Sequence, residues 1–220
     1  MLKKLLKDRI EQWNWEAQAP KDWHLSWQDH FKPLLIENKL AVIPPWENDF
    51  PGKINIKIKP GMAFGTGHHE TTHLILKTLL KENIVGETVL DFGTGSGILS
   101  IAAAKLGALN ISAVEFDSDC RINFFENLDL NGLNGQIDYY SMDVLKWKNF
   151  DYQYILFNMN RNIILKRLPG IQIPKDGKMF LTGILDKDEK VVTEKCNSNN
   201  LKVIEKQYKG QWACLTVISP

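Results

Sequence analysis

The chain has 220 residues, 44% of them hydrophobic, and its 27 basic and 26 acidic side chains leave a formal charge of +1. Length and apolar content support one sizeable core, while the balanced charge argues against a general polyanion binder, which carries a basic excess or a clustered patch. No run approaches the roughly 18 apolar residues of a membrane span, and the N-terminal MLKKLLKDRI lacks the apolar centre of a signal peptide. Cys120, Cys196 and Cys214 are odd in number, far apart and in no CxxC pair, so they read as reduced thiols of a cytoplasmic protein.

The first segment is Trp-rich, and Asp22 is placed to cap a short helix, DWHLSWQDHF, that Pro33 ends. LLIENKLAVI predicts two short strands around Glu37-Asn38, and INIKIK, from Ile54 to Lys59, alternates with the period of a half-buried strand. From Thr88 the pattern becomes strand, glycine turn and helix, repeated. TVLDF is a strand, GILSIAAAKLG a helix ended by Gly107, ISAVEF a strand and SDCRINFFENLDLNG a helix. IDYYS, YQYILF and KMFLTGI follow as strands, with a helix from Asn160 to Leu168 between the last two. A helix near Asp186 to Cys196 precedes LKVIEKQY and QWACLTVI, an expected antiparallel pair. Such alternation predicts an α/β fold: an open, mostly parallel sheet with helices on both faces.

Two motifs compete for the chemistry. HETTH, His69 to His73, has the spacing of a zinc metalloprotease, with both imidazoles on one helical face and Glu70 left to polarise a water. A catalytic zinc needs a third protein ligand, and HLILKTLLK follows with none, so no metal and no zinc are expected. VLDFGTGSGILSIAAAKLGA is the stronger signal, because a strand runs directly into a D-x-G-x-G-x-G turn and then a helix. There glycines admit a ligand to the backbone and the helix start offers free N–H groups. Glu115 ends the next strand about 20 positions on, where an acid accepts from ribose hydroxyls; its other reading is an ordinary solvated strand end. Dinucleotide folds want G-x-G-x-x-G, whereas G-T-G-S-G after a strand-ending Asp, with a terminal strand pair, is more typical of S-adenosylmethionine enzymes. Asp91 and Gly93 would then lie near the methionine part of the cofactor, and Gly95 is a further cofactor-binding candidate. Asp143 would accept from its adenine amino group or serve only as a turn residue.

KPGMAFGTGHHETT, VLDFGTGSGILSIAAAKLGA, the acid-ended VEFD, FNMNRNIIL and the late LTGI together resemble the ribosomal protein L11 methyltransferase family, from about Trp23 to the C-terminus. The resemblance implies a Rossmann-like class I methyltransferase fold, with a seven-stranded sheet and a C-terminal antiparallel pair. It implies methyl transfer from S-adenosylmethionine to lysine or N-terminal amines of a ribosomal protein in the cytoplasm. No direct nucleic-acid partner and no membrane are expected. Thr72 would reach the methionine end of the cofactor, Gly93 its backbone and Glu115 its ribose, while Asn158 would lie where methyl donor and acceptor meet and Phe64 would wall the methyl channel. His69 belongs to the family block, and His73 is incidental to it. The expected division is 1–50 as an N-terminal helical and linker segment and 51–220 as the methyltransferase domain, with most of the family's N-terminal substrate-recognition domain missing. Where relatives read N-I-L, this chain reads Asn158-Met159-Asn160-Arg161, so Arg161 would meet an acidic group on the substrate or sit on a solvated face. The alternatives are another acceptor, whether protein, small molecule or nucleic acid, and a non-catalytic cofactor-binding paralogue.

Overall fold

In the computed structural model, which describes residues 31–61, 67 and 69–220, the alternating strands and helices after Thr88 close into one seven-stranded sheet. Three strands precede it: β1 (Leu34–Ile36), β2 (Leu40–Ile43) and β3 (Ile54–Lys57). The large sheet takes β4 (Thr88–Phe92), β5 (Asn110–Glu115), β6 (Ile137–Ser141), β7 (Tyr154–Asn158), β8 (Lys178–Leu185), β9 (Lys202–Lys209) and β10 (Trp212–Ile218). Its order is β6-β5-β4-β7-β8-β10-β9. Every pairing from β6 to β8 is parallel, and β10 runs antiparallel to both β8 and β9. Residues Lys32–Pro220 form one compact unit. The expected Asp22-capped helix lies outside the described residues.

The apolar runs work because a strand side chain changes face at every residue. In β4, Val89 enters one core and Leu90 and Phe92 the other; in β7, Tyr154 and Leu156 oppose Ile155 and Phe157. The first core is covered by α1 (Glu70–Leu79), α2 (Ile98–Lys105) and α3 (Ser118–Leu130), and also takes Ile36, Leu40, Val42 and Ile56 from the small β1-β2-β3 sheet. The second is covered by α4 (Arg161–Arg167) and α5 (Glu189–Asn197), through Ile164, Leu168, Val192 and Cys196. All three cysteines are free and buried.

Two elements end differently from their sequence patterns. INIKIK stops being a strand at Lys57: Ile58 N–H still bonds the Ile43 carbonyl at 2.9 Å, but the free edge at Lys57 and Lys59 is taken by side chains of a helix. Asn123, Asn127 and Asn131 stand one turn apart along α3 and its C-cap. Asn131 exchanges bonds with Lys57 (N–H to Oδ1 3.0 Å, Nδ2 to carbonyl 2.7 Å), Asn127 Oδ1 accepts from Lys59 N–H (2.8 Å), and Asn123 Nδ2 donates to the Lys59 carbonyl (3.1 Å). This side-chain ladder replaces a neighbouring strand. The expected helix from Asp186 divides into a 3-10 turn, Asp186–Asp188, and α5. There the Asp186 N–H is taken by the Gln211 carbonyl and the Asp188 carboxylate by Arg161.

By the alternation of β4, Asp91 points to the α2 side, where it is fully buried. Its Oδ2 accepts from Thr94 Oγ1 (2.7 Å), Ser100 N–H (3.1 Å) and Ser100 Oγ (2.6 Å), tying the turn after β4 to the first turns of α2. Burial pushes the carboxyl up to about 6; the Ser100 and Thr94 donors oppose the rise and the Glu115 charge adds to it. An acid with a raised folded pKa binds more protons folded than unfolded, so its contribution to stability is lost as pH rises through the window from the ordinary value near 3.8 to about 6. Above that window the ionised group costs on the order of 3 kcal/mol. Asp91→Asn keeps an acceptor oxygen but cannot ionise. Wild type is therefore expected to gain about that much stability relative to the variant as the solution is taken from about pH 7 to about pH 4. Denaturant titrations at stepped pH check this; a difference independent of pH would show that Asp91 titrates normally.

Candidate active site

The carboxyl ends of β4, β5 and β7 meet at a cleft of about 510 Å³, the place where open parallel sheets bind ligands. The turn after β4 forms its floor. Gly93 and Thr94 donate to the Val114 carbonyl (2.8 and 3.2 Å), so the turn is stitched to β5. Gly93 lines the cleft at φ 67°, and a Cβ there would stand 2.8 Å from Met159 Sδ. Across the cleft, Gly183 in β8 has φ 86°, and a Cβ would fall 2.1 Å from the Met159 carbonyl oxygen. Only glycine lets the loop after β7 cross β8 so closely.

Glu115 ends β5 in the cleft wall. Its Oε1 accepts from the N–H groups of Phe116 (2.8 Å) and Asp117 (2.9 Å), and its Oε2 from Gly95 N–H (3.1 Å). With about four lone-pair positions on a carboxylate, Oε2 keeps room for a further donor. Asn158 also lines the cleft, and its amide makes no hydrogen bond among the described residues. Asp91 Oδ1 is buried without a partner among the described residues, two positions before Gly93. An oriented carboxylate, an uncommitted amide and a cradle without side chains fit a nucleoside-type cofactor. Cys120, in the same wall, is pushed up to about 11 by burial and then by the Glu115 charge, so it stands there as a neutral thiol.

The structure thus brings Gly93, Gly95, Glu115 and Asn158 together. Thr72 is fully buried on α1, its Oγ1 without a partner among the described residues, and the cleft is lined instead by Thr71 and His69. Asp143 caps the 3-10 turn Val144–Lys146, its Oδ1 accepting from Leu145 N–H at 2.9 Å. Phe64 lies outside the described residues. Arg161 is paired with Asp188 at 2.7 Å.

His69 is the N-cap of α1 and not part of it. Its Nδ1 accepts from Thr71 N–H (3.3 Å) and meets Thr71 Oγ1 (2.8 Å), and its ring stands edge-on to Trp212, with centroids 4.8 Å apart. Among the described residues no group of three His, Cys, Asp or Glu could hold a metal. Sequence reasoning missed Gly183 and Trp212. The only signals were a glycine inside the strand KMFLTGIL, which marks close backbone approach, and a Trp directly after the Gly210-Gln211 hairpin turn.

The family model described as ribosomal protein L11 methyltransferase (PrmA) matches residues 2–219. A ribosomal protein L11 methyltransferase of Trichlorobacter lovleyi is 40% identical over 205 residues, covering 89% of this chain and 67% of that protein. One of Geotalea daltonii is 34% identical over 212 residues, with 90% and 67% covered. The crystal structure of a ribosomal protein L11 methylase from Lactobacillus delbrueckii subsp. bulgaricus superposes with a TM-score of 0.80 at 28% identity, over 86% of this chain and 99% of that one. Magnesium protoporphyrin IX methyltransferase from Synechocystis, solved with bound SAM, shares the fold at a TM-score of 0.57 and 16% identity, over 70% of this chain and 80% of that one. This chain therefore spans about two thirds of the length of those first two relatives, and a match running nearly from end to end makes it a member of the ribosomal protein L11 methyltransferase family.

Proposed function

We propose that the cleft binds S-adenosylmethionine and that the chain transfers its methyl group to amines of ribosomal protein L11, at lysine side chains, the N-terminal α-amine or both. The observation that carries this reading is the Glu115 carboxylate, aimed into the cleft by three backbone N–H groups beside the glycine turn. In that arrangement Oε2 accepts from the ribose, while Gly93 and Gly95 let the methionine part lie against the backbone. Asp91, with its unmatched Oδ1, lies near the cofactor's positive end. Thr72 is assigned to the methionine end by resemblance, and the second oxygen of Asp143 serves the adenine amino group. Phe64 is assigned to the wall of the methyl channel by resemblance.

S-adenosylmethionine supplies an electrophilic methyl on a sulfonium, so the protein's main task is to hold an amine roughly 3–3.5 Å from that carbon with its lone pair aligned. A free lysine, pKa about 10.4, is neutral in only about one part in 2500 at pH 7, which costs roughly 4.6 kcal/mol; an α-amine costs only about 1 kcal/mol. The Asn158 carbonyl suits this task, because a neutral acceptor orients an amine without holding it as ammonium. The methyltransferase domain is taken as 51–220 after a segment 1–50, of which β1 and β2 share the core of that domain, since Lys32–Pro220 form one compact unit. A cytoplasmic location is supported by three free, buried thiols. No helix among the described residues is long and apolar enough to cross a membrane. The near-neutral charge favours a protein acceptor over a nucleic acid, and no zinc takes part.

Glu115→Ala is expected to weaken S-adenosylmethionine binding by about 1.5–3 kcal/mol without unfolding the chain, as read by calorimetry. Unchanged affinity would remove Glu115 from the cofactor site. For Asn158→Ala, steady-state kinetics with ribosomal protein L11 should show kcat falling about tenfold to a hundredfold with cofactor affinity nearly intact. A loss confined to cofactor affinity would make Asn158 a cofactor ligand instead.

A further inference from the structure

We infer that Asn127 is a positioning residue for the cofactor cleft: its single side-chain amide joins the segment leaving β3 to the middle of the glycine turn. The inference rests on the reading that the cleft holds S-adenosylmethionine. Asn127 is fully buried in the interior of α3, where propensity and packing both favour an aliphatic residue. Both ends of the amide are bonded. Its Oδ1 accepts from Lys59 N–H at 2.8 Å, and its Nδ2 donates to the Ser96 carbonyl at 2.8 Å, with a longer contact to Asn123 Oδ1 at 3.5 Å.

Ser96 lies between Gly95 and Gly97, and Gly95 N–H in turn donates to Glu115 Oε2. The connection therefore runs from Lys59 through Asn127 and the Ser96–Gly95 backbone to the carboxylate in the cleft wall. Holding the Ser96 carbonyl on the α3 side keeps the opposite face of the turn, Gly93 and Gly95, against the cleft. The other two asparagines of the ladder bond the same segment, but among the described residues neither bonds the glycine turn. Asn127 alone is shared by both. The chemistry requires an amide of this length, with a donor on one edge and an acceptor on the other. Leu offers neither, Asp places an unpaired charge against the Ser96 carbonyl, and Ser is too short to span both partners.

Asn131 provides the control, since it holds the same segment but stays clear of the turn. Calorimetric titration with S-adenosylmethionine, thermal unfolding and amide exchange at Lys59 and Gly95 would be compared for wild type, Asn127→Leu, Asn127→Ser and Asn131→Leu. The expected result is an affinity loss of about tenfold or more for both Asn127 variants, with faster exchange at Gly95. Asn131→Leu should lose comparable thermal stability yet keep its affinity within about threefold and its Gly95 protection. If Asn127→Leu does not fold, Asn127→Ser carries the comparison. Affinity falling in step with thermal stability across both positions, or Asn127→Ser binding like wild type, overturns the inference. A wild-type chain that binds no S-adenosylmethionine would overturn it together with the cofactor reading, whereas wild-type binding with an unaffected Asn127→Ser overturns it alone.

Discussion

The carboxylate of Asp91 is fully buried near the end of a central strand, and the three donors on its Oδ2 all come from the turn and helix that follow. Such a group is tolerable in an apolar interior only if those donors stay in place. The dependence runs both ways: the carboxylate needs the turn closed, and the turn is closed by the carboxylate. Gly93 and Thr94 are then in reach of the Val114 carbonyl, and Gly95 in reach of Glu115. The cleft floor is thus built outward from one buried charge, with each hydrogen bond setting the position of the next.

Neutral amides hold the other side of the turn. Asn123, Asn127 and Asn131 satisfy backbone groups at and beyond the end of β3 that no strand covers, and they do so without adding to the Glu115 charge that already acts on Asp91. A carboxylate in their place would have met backbone carbonyls and raised the Asp91 pKa further by like-charge repulsion. An amide can face N–H groups and carbonyls at once, which a buried junction of two loops requires.

The loop after β7 is placed by backbone contact. Met159 N–H donates to the Thr182 carbonyl at 3.2 Å, and the Met159 carbonyl passes over Gly183 where any Cβ would collide. That fit presents the Asn158 amide to the cleft while the Met159 side chain lies against Gly93. Arg161, at the start of α4, is paired with Asp188 directly before α5 and so links the two helices.

The sequence alone determined the order of strands and helices, the glycine turn and the acid at the end of β5, because these depend on spacing along the chain: period two for strands, glycine where a turn demands it, a charge at a strand's solvent end. It also contained HETTH, and local spacing could not decide its meaning, since His69 as an N-cap and His69 as the first residue of a helical metal pair are written with the same letters. Only the tertiary structure decided that Thr71 and His69, not Thr72, line the cleft, that Asp143 caps a turn, and that Arg161 has an internal partner. It alone brought Gly183 and Trp212 to the site and set Asn127 between Lys59 and Ser96. Apart from the local Asp143 cap, these depend on contacts between residues tens of positions apart, governed by how helices settle on the two faces of the sheet, and no periodicity along one chain encodes which distant backbone group a buried amide will meet.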